Sequence, residues 1–349
     1  MDDPLIHLIQ DAFRYESTDV FLVEGEPPRI RREGNVVELH PGPVPRNALE
    51  DLWARCGADF NETKECDVSW QIPEGSRLRV NLYHTLGRLA AVMRPIRSDI
   101  PAIEDLGLPA ELMQSWFQRR DGLVLVTGPT GSGKSTSVAS CLNWVNQRMC
   151  RHIVTLEDPI EFLFQSDNSL FSQREIRLDS ESFSVALRSA LRQSPDVLFV
   201  GEIRDSETAV TALQAAETGH LVVSTMHSSS VTETIDRLIH LLGDTESGTL
   251  HLLASQLIGI VSQKLLPKVG GGLFSALEYM QNEAGTRKWI VEKRMADLQD
   301  FINKADGTRS CSSLNYLVAS VKQGYLDNDV ARGSCSRPQD FDRAMRGIS

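Results

Sequence analysis

Nine consecutive residues constrain this chain more than any others: Gly128, Pro129, Thr130, Gly131, Ser132, Gly133, Lys134, Ser135 and Thr136. They match the pattern G-x-x-x-x-G-K-S/T. Their setting matters as much as the pattern. Gly122-Leu-Val-Leu-Val-Thr127 before them reads as a buried strand, and Ser137-Val-Ala-Ser-Cys-Leu-Asn-Trp-Val145 after them as an apolar-faced helix. A strand that feeds a glycine-rich turn and then a helix N-terminus lines up backbone N–H groups around a polyphosphate. The glycines let the backbone wrap closely around the anion. In such a loop Lys134 reaches the β- and γ-phosphates, and the Ser135 hydroxyl ligates Mg²⁺. The loop alone predicts binding of ATP or GTP and leaves the function open.

With 349 residues, 41% of them hydrophobic and 24% charged, the chain has core enough for two or three soluble domains. Its 36 Lys and Arg against 47 Asp and Glu give a net charge of −11. That argues against general nucleic-acid binding, which leaves a basic footprint. No apolar run approaches the ~20 residues of a membrane-spanning helix. The start, Met1-Asp-Asp-Pro-Leu5, lacks the basic and apolar stretches of a signal peptide. A cytoplasmic location is therefore expected. Cys56, Cys66, Cys141, Cys150, Cys311 and Cys335 form no C-x-x-C pair. Reduced thiols are expected, rather than disulfides or zinc.

Residues 1–97 read as a small α+β domain. Leu5, Leu8, Ile9, Ala12 and Phe13 keep helical spacing, and Asp19-Val-Phe-Leu-Val23 reads as a strand. Residues 29–39 read as a hairpin around Gly34-Asn35, and 77–83 and 89–94 as two further strands joined near Gly87. Residues 98–110 carry two prolines and read as a linker or hinge. From 111 to 282, helical patterns alternate with short apolar strands at 122–127, 152–156, 196–200 and 221–225. This alternation predicts an α/β fold, a mostly parallel sheet with helices on both faces. Ligands then gather at the carboxyl ends of the strands. Residues 283–349 read as a helical C-terminal region.

The remaining chemistry follows these strands. Glu157-Asp-Pro-Ile-Glu161 closes the second strand, and its carboxylates can handle Mg²⁺ and an attacking water. A solvated acidic turn is the plainer reading, and the nearby phosphate loop makes it the weaker one. Asp196-Val-Leu-Phe-Val-Gly-Glu202 ends in a carboxylate that can hold Mg²⁺ through water or simply pair with Arg204. His220 and His227 bracket the last strand. Each is compatible with a γ-phosphate contact and with a structural hydrogen bond. Arg188 and Arg192 share one face of a helix over Ser184–Gln193. They suit either surface ion pairs or positive charge supplied across a subunit interface.

In this order, the motifs resemble the ATPases of type II secretion and type IV pilus systems. The residues that carry the resemblance are Gly128–Thr136, Thr155–Glu161, Leu198–Asp205, Ala216–His220 and Thr225–His227. Within that superfamily the chain is most similar to the pilus-retraction branch, the PilT- and PilU-like ATPases. Ser17–Leu22, Arg77–Asn81, Ser172–Glu175, Ala186–Arg192, Thr234–Leu238 and Gln263–Gly272 carry that similarity, which runs from about residue 5 to 342.

The resemblance implies a PAS-like N-terminal domain, a RecA-like ATPase domain and a helical tail. It implies that Lys134 and Ser135 bind phosphate and Mg²⁺, that Glu161 is the catalytic glutamate, and that Glu202 is the glutamate that holds Mg²⁺ through water. His220 and His227 would be the histidine-box residues. Arg79 and Arg94 match the arginine-bearing strands whose cations approach a neighbour's nucleotide, and Arg287 matches an arginine of a C-terminal helical motif. The expected assembly is a homohexamer on the cytoplasmic face of the inner membrane, held there by a pilus platform protein, with a paralogous retraction ATPase as a further partner and no nucleic acid.

Some positions depart from the family pattern. Asp121-Gly122 stands where the family often has Arg-Gly, Met226 stands before His227 where Leu is usual, and Thr286–Glu292 keeps only part of the retraction motif. The absence of any C-x-x-C argues against the zinc-bearing assembly branch. Two alternatives remain at this point: a type IVB or type II-like secretion ATPase, and a nucleotide-binding regulator with little turnover.

Overall fold

The computed structural model describes residues 4–15, 17–73, 77–243 and 247–347. The acidic start Met1–Asp3 lies outside them. The chain divides into two compact units: Met1–Ser98 with Pro159–Leu163, and Asp99–Asp158 with Phe164–Ser349.

The first unit contains α1 (Pro4–Arg14), β1 (Asp19–Val23), β2 (Arg29–Arg32), β3 (Asn35–Glu38), α2 (Arg46–Arg55), β4 (Glu65–Gln71), β5 (Arg77–Thr85) and β6 (Arg88–Pro95). The strands form one antiparallel sheet in the order β3-β2-β1-β6-β5-β4. Leu78, Val80 and Leu82 alternate inward along β5 and join Leu5, Ile9, Leu49, Leu52 and Trp53 of the two helices in one core. Period-two alternation therefore turns Arg77, Arg79 and Asn81 to the opposite face. The sequence reading omits α2 and β4. In β4 only Trp70 is buried, so hydrophobicity gives that strand little signal.

The second unit begins with a 3₁₀ turn at Ile103–Leu106, followed by α3 (Ala110–Phe117), β7 (Gly122–Thr127), α4 (Lys134–Arg148), β8 (His152–Glu157), β9 (Leu170–Glu175) and α5 (Phe183–Ala190). Next come β10 (Val197–Val200), α6 (Ser206–Glu217), β11 (Leu221–Met226), α7 (Val231–Leu242), α8 (Ser247–Gln256), β12 (Leu257–Pro267) and β13 (Leu273–Gln281). The chain closes with α9 (Ala284–Val291), α10 (Met295–Lys304), β14 (Ser310–Cys311), α11 (Ser313–Lys322), α12 (Asn328–Ser334) and α13 (Pro338–Met345).

Its sheet runs β14-β13-β12-β7-β11-β10-β8-β9. Strands β12 to β9 in that order are parallel, and β13 and β14 add an antiparallel edge. Every residue of β7, β10 and β11 is buried, as a sheet covered on both faces requires. Leu123 and Leu125 of β7 pack with Leu187, Leu213 and Ile235 on one face. Val124 and Val126 pack with Met113, Trp116, Val138, Cys141 and Leu142 on the other. A separate cluster, with Ala276, Leu317, Leu326 and Phe341, attaches the C-terminal helices to β13.

Residues 99–110 belong to this second unit. Ile103 and Leu108 are buried in its core, and Ser140 Oγ donates to the Pro101 carbonyl at 2.7 Å. No helix among the described residues is long and apolar enough to cross a membrane.

Candidate nucleotide site

The loop Gly128–Gly133 joins the end of β7 to the start of α4. Gly128 has φ +147°, and a Cβ there would lie 2.3 Å from the Gln263 carbonyl oxygen. Gly133, at φ +86°, is the left-handed residue from which α4 starts. Both positions need glycine. Lys134 is the first residue of α4 and is nearly buried. Its ammonium donates to the Gly128 and Pro129 carbonyls at 3.0 and 2.9 Å, which curls the side chain back over the loop.

β12 supports the loop from beside β7. The buried Gln263 side chain donates to the Ser132 carbonyl at 2.5 Å. Ser132 Oγ is buried and makes no hydrogen bond among the described residues. The motif Gln263–Gly272 carries part of the family similarity, but without the pairing of β12 with β7 it does not show that Gln263 supports the loop.

Glu202 follows β10 through Gly201, whose N–H donates to the Leu156 carbonyl of β8 at 2.7 Å. Its carboxylate is largely buried. One oxygen pairs with Arg204, and the other lies 3.6 Å from His227 Nε2 and accepts no hydrogen bond among the described residues. Glu202 therefore pairs with Arg204 and also approaches His227.

His227 follows β11, and its carbonyl is held by Arg237 Nη1 at 2.7 Å. Loss of hydration lowers its pKa below 6.5, and the Lys134 charge adds to this. Glu202 pulls the other way without reversing the shift. At neutral pH the imidazole is neutral. Between its lowered pKa and 6.5 the unfolded chain holds more protons, so stability rises with pH across that window. The ring resonances of His227 are expected to titrate below 6.5 and to move upward in Lys134→Ala, which lacks one depressing charge. NMR titration, with His227→Gln for assignment, measures both.

These groups meet because β7, β8, β10 and β11 are parallel and in register, which brings their carboxyl ends to one edge. His220 does not share that edge, although the family resemblance groups it with His227. It precedes the first residue of β11, where the Gly122 N–H donates to its carbonyl at 3.2 Å. A parallel strand carries its two ends to opposite edges, so His220 and His227 are separated by about 20 Å. His220 Nδ1 lies 3.0 Å from the Ala215 carbonyl and 3.3 Å from Thr218 Oγ1, a structural role at the end of α6.

The other candidates lie on other elements. Glu161 is exposed and belongs to the first unit, where the Leu163 N–H donates to the Arg97 carbonyl at 2.8 Å. Arg188 pairs with Glu207, and Arg192 donates to the Arg188 carbonyl at 3.0 Å. Arg79 and Arg94 are register partners on the open face of the first unit's sheet. They line a cleft of about 310 Å³ together with Asp19, Asp67 and Asn81.

Two adjacent guanidiniums would repel each other, and a carboxylate holds each one. Arg94 grips the buried Asp19 at 2.6 and 3.0 Å, whereas Arg79 meets the half-exposed Asp67 at 3.4 Å. Arg94→Ala is expected to destabilise the chain by about 1–3 kcal/mol, because charged hydrogen bonds to a buried oxygen are lost. Arg79→Ala is expected to cost under about 1 kcal/mol, as exposed pairs do. Urea denaturation separates the two.

The Glu202 oxygen without a hydrogen bond and the Ser135 hydroxyl are hard oxygen donors, the type Mg²⁺ takes. No group of three or more His, Cys, Asp or Glu side chains among the described residues forms a metal cage. A cation at this edge would therefore rely mainly on water and phosphate oxygens, as Mg²⁺ does.

A doubly covered parallel sheet with a phosphate loop after β7 and a largely buried carboxylate two strands along the same edge, after β10, defines a phosphate-loop nucleoside triphosphatase. Residues 61–320 match the family described as type II/IV secretion system protein, and the chain belongs to that family. It is 37% identical to the type IV pilus retractation ATPase PilT of Pseudomonas aeruginosa, over 97% of this chain and 99% of the relative. It is 35% identical to the type IV pilus ATPase PilU of the same species, over 82% of this chain and 77% of the relative. The crystal structure of the pilus retraction motor PilT with bound ADP superposes with a TM-score of 0.89 at 35% identity, covering 97% of this chain and 98% of that one.

Proposed function

We propose that this chain is an ATP-hydrolysing motor that retracts a type IV pilus. The observation that carries the reading is the convergence of Lys134, Glu202 and His227 on one sheet edge. It occurs in a chain that aligns end to end with a retraction ATPase. ATP lays its β- and γ-phosphates against the loop N–H groups and Lys134. Ser135, and Glu202 through water, would hold Mg²⁺, which when bound offsets phosphate charge. Glu161 orients the attacking water and takes its proton. Neutral His227 donates a hydrogen bond towards the γ-phosphate, so its surroundings change when that group leaves.

Arg79 and Arg94 of a neighbouring copy add positive charge in the transition state. For that they must loosen from Asp67 and Asp19, which makes the weakly held Arg79 the readier donor. The working assembly is a homohexamer on the cytoplasmic face of the inner membrane, bound to a pilus platform protein. The similarity to PilU supports a paralogous ATPase as a further partner.

Two measurements test the reading. The purified chain is expected to release phosphate from ATP steadily. A strain without the gene is expected to keep its surface pili and lose retraction. Loss of protein secretion with retraction intact would favour the secretion ATPase, and nucleotide binding without turnover would favour the regulator.

A further inference from the structure

Glu278 lies in β13, away from the phosphate loop, and is buried. It stands in one transverse row of the sheet: Glu278 is opposite Ser262 of β12, and Ser262 is opposite Thr127 of β7, the residue just before Gly128. One carboxylate oxygen accepts the Val231 N–H at 2.7 Å, and the other accepts the Ser313 N–H at 3.5 Å. These are the first residues of α7 and α11. Gln299 of α10 is near enough to help lower the pKa of the carboxyl, and Thr232 Oγ1 donates to Gln299 Oε1 at 3.1 Å.

A helix start leaves several N–H groups without partners inside the helix. Here the N-cap serines take the third one: Ser230 Oγ accepts from Glu233, and Ser312 Oγ accepts from Asn315, both at 3.2 Å. Glu278 takes the first one of both helices. Two helix N-termini aimed at one carboxylate favour its charge. Burial still raises its pKa above 4.5, with Lys264 the nearby cation that opposes the rise.

The histidine loop ends where this junction begins. His227 is followed by Ser228, Ser229 and Ser230, and then by Val231. Ser228 Oγ and Thr234 Oγ1 are 2.6 Å apart, Thr234 Oγ1 donates to the Ser230 carbonyl at 2.7 Å, and Thr127 Oγ1 lies 3.3 Å from it. A displacement of the loop thus reaches the start of α7. There it must either leave a buried carboxyl oxygen without its donor or carry Glu278 along.

We infer that Glu278 is a positioning residue that couples the nucleotide state at His227 to the C-terminal helices α10 and α11. The inference rests on the reading of the Lys134 loop and His227 as the nucleotide site. What it adds is the route from that site to the tail. Glu278 touches no substrate, so its role is read in the coupling rather than in the chemistry.

The test is hydrogen exchange on the full chain, with and without ADP. In the wild type, ADP is expected to slow exchange at least about fivefold in both 227–242 and 310–322, the lower end of measured site-to-site couplings. Ser313→Pro removes one donor and leaves Glu278 in place. Proline suits the first position of a helix, and Ser312 already has the extended backbone it requires. In Ser313→Pro, and in Glu278→Gln, ADP is expected to bind as before and protect 227–242, while 310–322 no longer responds.

An unchanged 310–322 response in folded Ser313→Pro would overturn the inference, and so would a wild type in which that segment ignores bound ADP. A wild type that fails to bind ADP at all would instead remove the nucleotide-site reading. If Glu278→Gln does not fold, Ser313→Pro decides alone. A merely structural Glu278 would change melting temperature and leave the segment's response to ADP intact.

Discussion

Lys134→Ala is expected to lower ATP turnover at least about 10²–10³-fold, the loss seen when one preorganised donor to a developing charge is removed. Lys134 is 8% exposed, and a buried ammonium is costly unless its protons are satisfied. Here the Gly128 and Pro129 carbonyls accept two of them, so the cation is already positioned over the loop before any phosphate arrives. An incoming phosphate offers charged oxygens in place of neutral carbonyls, and such hydrogen bonds are shorter and stronger. Alanine keeps the helix, since it is the best helix former. Fold loss is therefore not the expected cause of inactivity. Lys134→Arg tests the geometry: a planar fork cannot replace a compact point charge against both carbonyls and a phosphate. Steady-state phosphate release and ADP calorimetry on both variants give the answer. Full turnover in Lys134→Ala would detach the loop from the mechanism.

The loop, β7 and α4 were legible because their signal is local: a fixed spacing between a fully apolar strand and a helix. The two faces of the sheet were legible for the same reason. What sequence left out depends on topology. His220 and His227 both adjoin β11, but only the pairing of β11 with β7 tells which edge each one occupies. β12 begins as a run buried on both faces, so it shows no alternation, and β9 is half-buried between exposed Leu170 and buried Glu175. The support from Gln263 needs β12 beside β7. The carboxylate of Glu278 needs two helix starts separated by more than 80 residues of chain. The grouping of Pro159–Leu163 with the first unit rests on a backbone bond to Arg97, which no local pattern announces.

That grouping sets the terms for Glu161→Gln. The variant is expected to bind ATP as the wild type does and to lose about 10²–10⁴-fold in turnover, the range for a general base. Ile160 and Phe162 on either side are buried, so the Glu161 side chain points outward and supports no core. Glutamine matches its size and keeps a polar end. The stability change is therefore expected to stay within about 0.5 kcal/mol, as for most surface substitutions. Lys134 and Glu161 belong to different compact units, and the two losses should separate accordingly. Lys134→Ala weakens nucleotide binding and chemistry together. Glu161→Gln leaves binding whole and stops the water. A single-turnover experiment distinguishes them: with excess Glu161→Gln enzyme, labelled ATP should be retained on the protein and recovered uncleaved over many wild-type turnover times. Recovery of ADP at the wild-type rate would show that the proton goes elsewhere. The largely buried carboxylate of Glu202, 3.6 Å from His227, would then be the group to replace next.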